Sequence, residues 1–147
     1  MLIPTLQEMF ERELLKLREE INLYPDEQAI WTIRGNIANS AGNLCLHLLG
    51  NLNHFVGTIL GKTGYIRNRD AEFSLKNVPR NELIASIDET IPMLKSVLGK
   101  LSAEDLAGNY PVEKHGQTVT MTYMLLHLLT HLNYHLGQVN YHRRLVA

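Results

Sequence analysis

Three histidines recur at steps of four, His127, His131 and His135, within TMTYMLLHLLTHLNYHLGQVNYHRR, and His142 follows seven residues later. At about 100° per residue these four and Gln138 fall within roughly 80° of arc, on one face of one helix. Two histidines at i and i+4 can direct ring nitrogens at a single point, the geometry by which one helix supplies two ligands to a metal. The same spacing also suits histidines hydrogen-bonded to facing helices, so the pair by itself leaves both readings open. From Lys114 to Ala147 there is no Asp or Glu. Partners for these imidazoles must therefore come from elsewhere in the chain, or from a cation.

A second histidine-bearing stretch, NIANSAGNLCLHLLGNLNHFVGTIL, predicts a helix from about Asn36 to Leu60 that carries no charge. A solvated helix would carry charges, so this one is expected to be buried, with polar groups that line something. Ser40, Asn43, His47, Asn51, His54 and Thr58 fall within about 40° either side of one line. Such a line is either a hydrogen-bonded seam between buried helices or a pocket wall with His47 and His54 pointing inward. The pocket wall is preferred, because an unlined polar seam of this length is costly to bury.

Six of the seven histidines lie in these two segments. If the two helices pack side by side, His47 can meet His131 and His135. Three nitrogens with positions left open for water or substrate suit a catalytic metal rather than a structural one. Imidazole ligands accept zinc, nickel, iron or copper, and ligand type does not choose among them; a bound ion could acidify a water or a substrate thiol. Other metal chemistries lack their motifs: no Glu stands three residues before any histidine, and HExxH and CxxCH are absent. Cys45 is the single cysteine, which excludes an internal disulfide and a thiolate cage; it reads as a core residue.

The elements that would position these groups are helical. Leu6, Phe10, Leu14, Leu17 and Ile21 mark an amphipathic helix from about Thr5 to Leu23, with Glu8, Glu11, Arg12, Glu19 and Glu20 on a solvated face. Trp31 in the following connection reads as an indole wedged over a helix end rather than a substrate contact. Gly61 to Pro79 is read as a long loop in which Arg67, Arg69, Asp70 and Glu72 form either a surface ion-pair cluster or a lid over the site. A third long helix begins near Pro79, with a core stripe of Leu83, Ile87, Ile91, Leu94, Leu98 and Leu101 and a kink expected at Pro92. Ser102-Ala-Glu-Asp is a further helix start, His115-Gly116 a turn with a solvated His115, and Thr118 or Thr120 a cap for the last helix. Helices with almost no strand pattern make an all-α bundle, and spacing alone leaves its topology open.

The 147 residues fit one domain of residues 1–147, with a 45% apolar fraction that can fill a core. A net charge of −1 with no basic run longer than Arg143-Arg144 argues against binding nucleic acid through its phosphates. The first residues become charged by Glu8, without an apolar run of signal-peptide length, and no segment matches a membrane span. A soluble cytoplasmic protein is expected.

Taken together, NSAGNLCLHLLGNLNHF on the second helix, RNRDAEF in the loop and HLLTHLNYHLGQV on the last helix resemble the DinB-like (DinB/YfiT) superfamily, in consistent order over nearly the whole chain. The resemblance implies a four-helix bundle of up-down-down-up topology, often a homodimer, with a divalent metal held by His47, His131 and His135. Gln138 would occupy that family's GQ position and His127 the extra histidine one turn earlier. Asn43, His54, His127 and Gln138 are candidates for supporting the ligands or meeting substrate. Characterised relatives include metal-dependent transferases and isomerases that use low-molecular-weight thiols. Leu136 stands where an Arg is common in the family, so a contact made by that Arg is missing here. The competing expectation is a non-enzymatic small-molecule-binding or stress-related dimeric bundle whose histidines form a hydrogen-bonded core.

Overall fold

Apolar residues at steps of three and four shape the long helices. The structure, a computed structural model, describes residues 2–146. Among them lie α1 (Leu2–Leu23), α2 (Ala41–Leu52), α3 (Arg69–Ser74), α4 (Arg80–Gly99), α5 (Ala103–Ala107) and α6 (Met121–Val146), and no strand. A 3-10 segment, Glu27–Trp31, precedes α2, and a π-helical turn, Asn53–Thr58, follows it.

In α1 the expected stripe of Leu6, Phe10, Leu14, Leu17 and Ile21 is buried. The helix begins three residues before the expected Thr5, since Pro4 sits in a first turn whose N–H groups have no intrahelical partner. Its charged side is less solvated than expected. Glu20 accepts hydrogen bonds from Asn140 Nδ2 (2.7 Å) and Arg143 Nε (2.6 Å) on α6. Buried Glu13 accepts from Asn133 Nδ2 at 3.1 Å. The carboxylates that α6 lacks thus reach it from α1, yet they serve its Asn and Arg side chains, not its histidines. Contact positions on α1 and α6 rise together. Against α4 they run oppositely: Glu11 meets Lys95 and Arg18 meets Asp88, while Arg80 Nη1 donates to the Asn22 carbonyl.

α4 continues through Pro92. Its buried residues are Leu83, Ile87, Thr90, Leu94, Val97 and Leu98, with Ile91 and Leu101 only partly covered. Thr90 tolerates burial because its hydroxyl donates to the Ser86 carbonyl (2.8 Å) and accepts from Asn53 Nδ2 (3.0 Å), which ties α4 to the end of α2. Trp31 is buried with its indole against Gly42, where a Cβ would come within 2.6 Å of the ring. Beyond α4, Ser102 and Asp105 form a capping box on α5. The turn at His115 and Gly116, both at positive φ, closes a pair of backbone hydrogen bonds between Lys114 and Gln117. Thr120 Oγ1 accepts from the Tyr123 N–H and caps α6. Among the described residues no helix is long and apolar enough to cross a membrane.

Candidate metal centre

The uncharged second helix is buried along nearly its whole length, and only Leu46 is partly exposed. It starts at Ala41 rather than Asn36, because Ser40 caps it by accepting from the Asn43 N–H at 3.2 Å. Its α-helical part ends at Leu52, where the backbone widens into the π turn. Packing of α2 against α6 brings His47 to His131 and His135, the juxtaposition on which a three-nitrogen site depended.

One ring nitrogen from each of these three histidines lies within 4.8 Å of the others, close enough that the group could hold a metal ion. His47 Nε2 and His131 Nε2 are 3.2 Å apart. Tetrahedral zinc with Zn–N bonds of 2.0–2.1 Å separates its ligand nitrogens by about 3.3 Å, so this pair needs almost no adjustment and the third ligand a modest approach. The far nitrogens of two rings are anchored by acceptors. His47 Nδ1–H donates to Glu72 Oε1 at 3.0 Å, and His135 Nδ1–H donates to Gln138 Oε1 at 2.6 Å. A proton held at Nδ1 leaves Nε2 as the lone-pair donor, so both anchors fix the tautomer that a metal requires. His131 Nδ1 is buried with no hydrogen-bond partner among the described residues. The donor set fits a divalent transition metal.

Electrostatics agree with that fit. Burial, followed by the neighbouring His135, His47, His127 and Arg67, pulls His131 down to about 4. His47 is also lowered, chiefly by burial, against the opposing pull of Glu72. These two imidazoles are therefore neutral near pH 7, with lone pairs available.

Glu72 does not belong to a surface cluster. It sits on α3, a helix of six residues inside the stretch read as a loop, and it is 5% exposed. Arg67 holds it through two hydrogen bonds, Nε to Oε2 at 2.8 Å and Nη2 to Oε1 at 3.0 Å. Three things position the carboxylate. Asn68 caps α3 by accepting from the Ala71 N–H. Asn43 Nδ2 donates to the Glu72 and Leu75 carbonyls, at 3.0 and 2.8 Å, and so pins α3 to α2. Gly50 leaves the space, since a Cβ there would overlap Glu72 Oε2 and lie 2.6 Å from its Cδ. Phe73 packs on the His47 ring, with centroids 4.8 Å apart.

The remaining candidates separate by contact. Asn43 acts on the site through α3, and Gln138 through His135. His127 is stacked one turn from His131, ring centroids 6.3 Å apart, and lines an adjoining cleft of about 400 Å³. Arg67, Arg69 and His115 line that cleft as well. His54 stands outside the trio: the π turn carries it off the 100° line that joined it to His47, its ring lies against Phe55, and Phe55 takes the place in the cleft wall. Arg67 and burial hold His54 below the ordinary histidine range, burial being the larger cause. His142 is a satisfied core residue. It accepts from the Tyr24 hydroxyl at Nδ1 (2.6 Å) and donates from Nε2 to the Thr32 carbonyl (2.8 Å). Cys45 is fully buried and pushed up to about 12, as befits a core thiol.

On the side of His135 away from that cleft lies a more apolar one of about 690 Å³, lined by Ile37, Leu44, Tyr134, Tyr141 and Leu145 beside Gln138. The His47–Glu72 contact and the role of Gly50 were not read from the sequence. The available signal was the absence of any acid on α6 beside a loop rich in them.

Residues 3–147 match the family model described as "Protein of unknown function (DUF1572)". No curated protein matches the chain.

Proposed function

The chain belongs to the DUF1572 family, and on that premise we propose that it is a DinB-like, metal-dependent enzyme whose divalent ion, zinc or nickel, is held by His47, His131 and His135. The observation that carries this reading is the convergence of three imidazole nitrogens within 4.8 Å, two of them with tautomers fixed by Glu72 and Gln138. A four-helix bundle of up-down-down-up order goes with it, formed by α1, α2 with its π turn, α4 and α6. The contact order supports this: α1 positions rise with those of α6 and fall with those of α4, while the cleft pairs Asn51 and Phe55 of the second helix with Met124 and His127 near the start of α6.

The reaction we propose is a transfer or isomerisation that uses a low-molecular-weight thiol. A divalent ion bound there supplies Lewis acidity, which favours the thiolate form of such a substrate near neutral pH. Glu72 keeps His47 oriented and its Nε2 unprotonated, and Gln138 does the same for His135. Arg67 holds Glu72 in place from the cleft side. His127 lines the cleft one turn away and is a candidate to meet substrate there. A cytoplasmic homodimer is the assembly and location that accompany this proposal.

The test is metal content by elemental mass spectrometry on untagged protein, beside His131→Ala. Zinc or nickel near one per chain in the wild type, lost in the variant, is the expected result. A second reading rests on one distance: 3.2 Å between His47 Nε2 and His131 Nε2 also suits a hydrogen bond. Under it the histidines are a hydrogen-bonded core of a non-enzymatic binding or stress-related dimer. A chelator should then lower the melting temperature of neither protein, whereas a metal centre predicts a drop in the wild type alone.

A further inference from the structure

The cleft beside His47 and His131 has more cationic than anionic side chains in its lining. Among the described residues, Arg67, Arg69 and Lys114 line it, against Glu113 as its one carboxylate. Arg67 is committed to Glu72. Arg69 and Lys114 have no carboxylate within 4.0 Å among the described residues. The Arg69 guanidinium lies over the Phe73 ring at 5.2 Å, a stacking that keeps its N–H edge available. Lys114 projects from a backbone fixed by reciprocal hydrogen bonds with Gln117, at 2.8 and 3.0 Å, which anchors the base of its flexible side chain at the cleft. Asn51 lines the same cleft, is 8% exposed, and its Oδ1 is buried without a partner. A buried acceptor of this kind needs a donor.

We infer that this cleft receives a small molecule bearing a carboxylate, with the anion between Arg69 and Lys114 and an N–H or O–H group of the ligand on Asn51 Oδ1. Once Glu113 is set against the two cations, about one positive charge is left over, which matches a monoanion better than a phosphate dianion. The inference rests on the proposed metal centre only for what the other end of the ligand meets; the carboxylate is recognised by this chain's own side chains.

Calorimetric titration with 3-mercaptopropionate and with its neutral counterpart methyl 3-mercaptopropionate, neither of which carries an N–H or O–H for Asn51, separates the charge from the thiol. On zinc-loaded wild type the carboxylate is expected to bind about tenfold tighter, the worth of one hydrogen bond to a charged group. The gap should close in the double variant Arg69→Gln/Lys114→Gln, through weaker binding of the carboxylate alone, and should narrow as salt rises. Equal affinities in the wild type, or a gap that survives the double variant, would overturn the inference. A stronger preference for 3-mercaptopropyl phosphate than for the carboxylate would overturn its monoanion form. The same preference is expected in metal-free protein, read by amide shifts in NMR titration. A preference there in a chain that takes up no zinc refutes the metal centre alone, and zinc uptake without a preference refutes this inference alone.

Discussion

Gly50→Ala puts the link between α2 and Glu72 to its most direct test. In an open helix this substitution stabilises by about 1 kcal/mol, because alanine loses less backbone freedom on folding. Here the new methyl would overlap the Glu72 carboxylate and stand 2.6 Å from its Cδ. Clearing the Oε2 overlap and bringing Cδ to ordinary contact near 3.4 Å means moving that group by at least about 0.8 Å. A displacement of that size is enough to break the 3.0 Å hydrogen bond from His47 Nδ1 to Glu72 Oε1 and to disturb the Arg67 pairing alongside. A hydrogen bond to a charged group contributes about 1.5–3 kcal/mol, so the helix gain is more than offset and metal-free Gly50→Ala should lose about 0.5–2 kcal/mol. Zinc affinity should fall about 10–100-fold, the usual cost of releasing a ligand's outer anchor. Gly137→Ala is the control: it lies on α6 between His135 and Gln138, and a Cβ there meets nothing within 4 Å. It should gain up to about 1 kcal/mol and keep its zinc affinity. Urea denaturation of metal-free proteins and zinc competition with a chromophoric chelator give both quantities. Gly50→Ala as stable as Gly137→Ala, with unchanged zinc affinity, would refute the claim that Glu72 is confined against α2 to orient His47.

Three further outcomes follow from the same contacts. Metal-free protein should lose stability as pH falls from about 6.5 towards 4, because the unfolded chain takes up protons there that folded His47 and His131 refuse; His131→Asn should flatten that slope in pH-dependent denaturation. Tyr24→Phe removes the donor to His142 Nδ1 in a buried site and should cost about 1–3 kcal/mol by urea denaturation, with zinc affinity unchanged, since that pair lies outside the trio. Asn43→Ala frees the Glu72 and Leu75 carbonyls and should weaken zinc binding in the chelator competition although Asn43 touches no ligand; an unaltered affinity would separate α3 from the site.

Periodicity made the helices legible. The α1 stripe is buried residue for residue, the caps at Thr120 and Ser102 act where their types suggested, and the charge-free α2 is buried. These features depend on interactions within a few residues, which a sequence displays directly. The spacing of His131 and His135 likewise placed both on one face of α6. Whether His47 would meet them was conditional on how two helices separated by some seventy residues pack. Where extrapolation failed, a tertiary contact or a change of helix geometry had intervened. Thr90 replaced Ile91 in the α4 stripe because Asn53 could satisfy its hydroxyl. His54 left the polar line because the π turn altered the angle per residue.

By itself, then, the sequence determined that this chain is helical, which faces are apolar, and that two of its helices carry nearly all its histidines, because such patterns repeat over one or two turns. Only the tertiary structure decided which histidines share a point, since that depends on the register between α2 and α6. It also decided that His142 is a core residue bonded to Tyr24 and Thr32, and that Glu72, on a short helix hidden in an apparent loop, stands behind His47. Each is a contact between residues tens of positions apart, set by the summed packing of whole helices, and no local pattern encodes that sum.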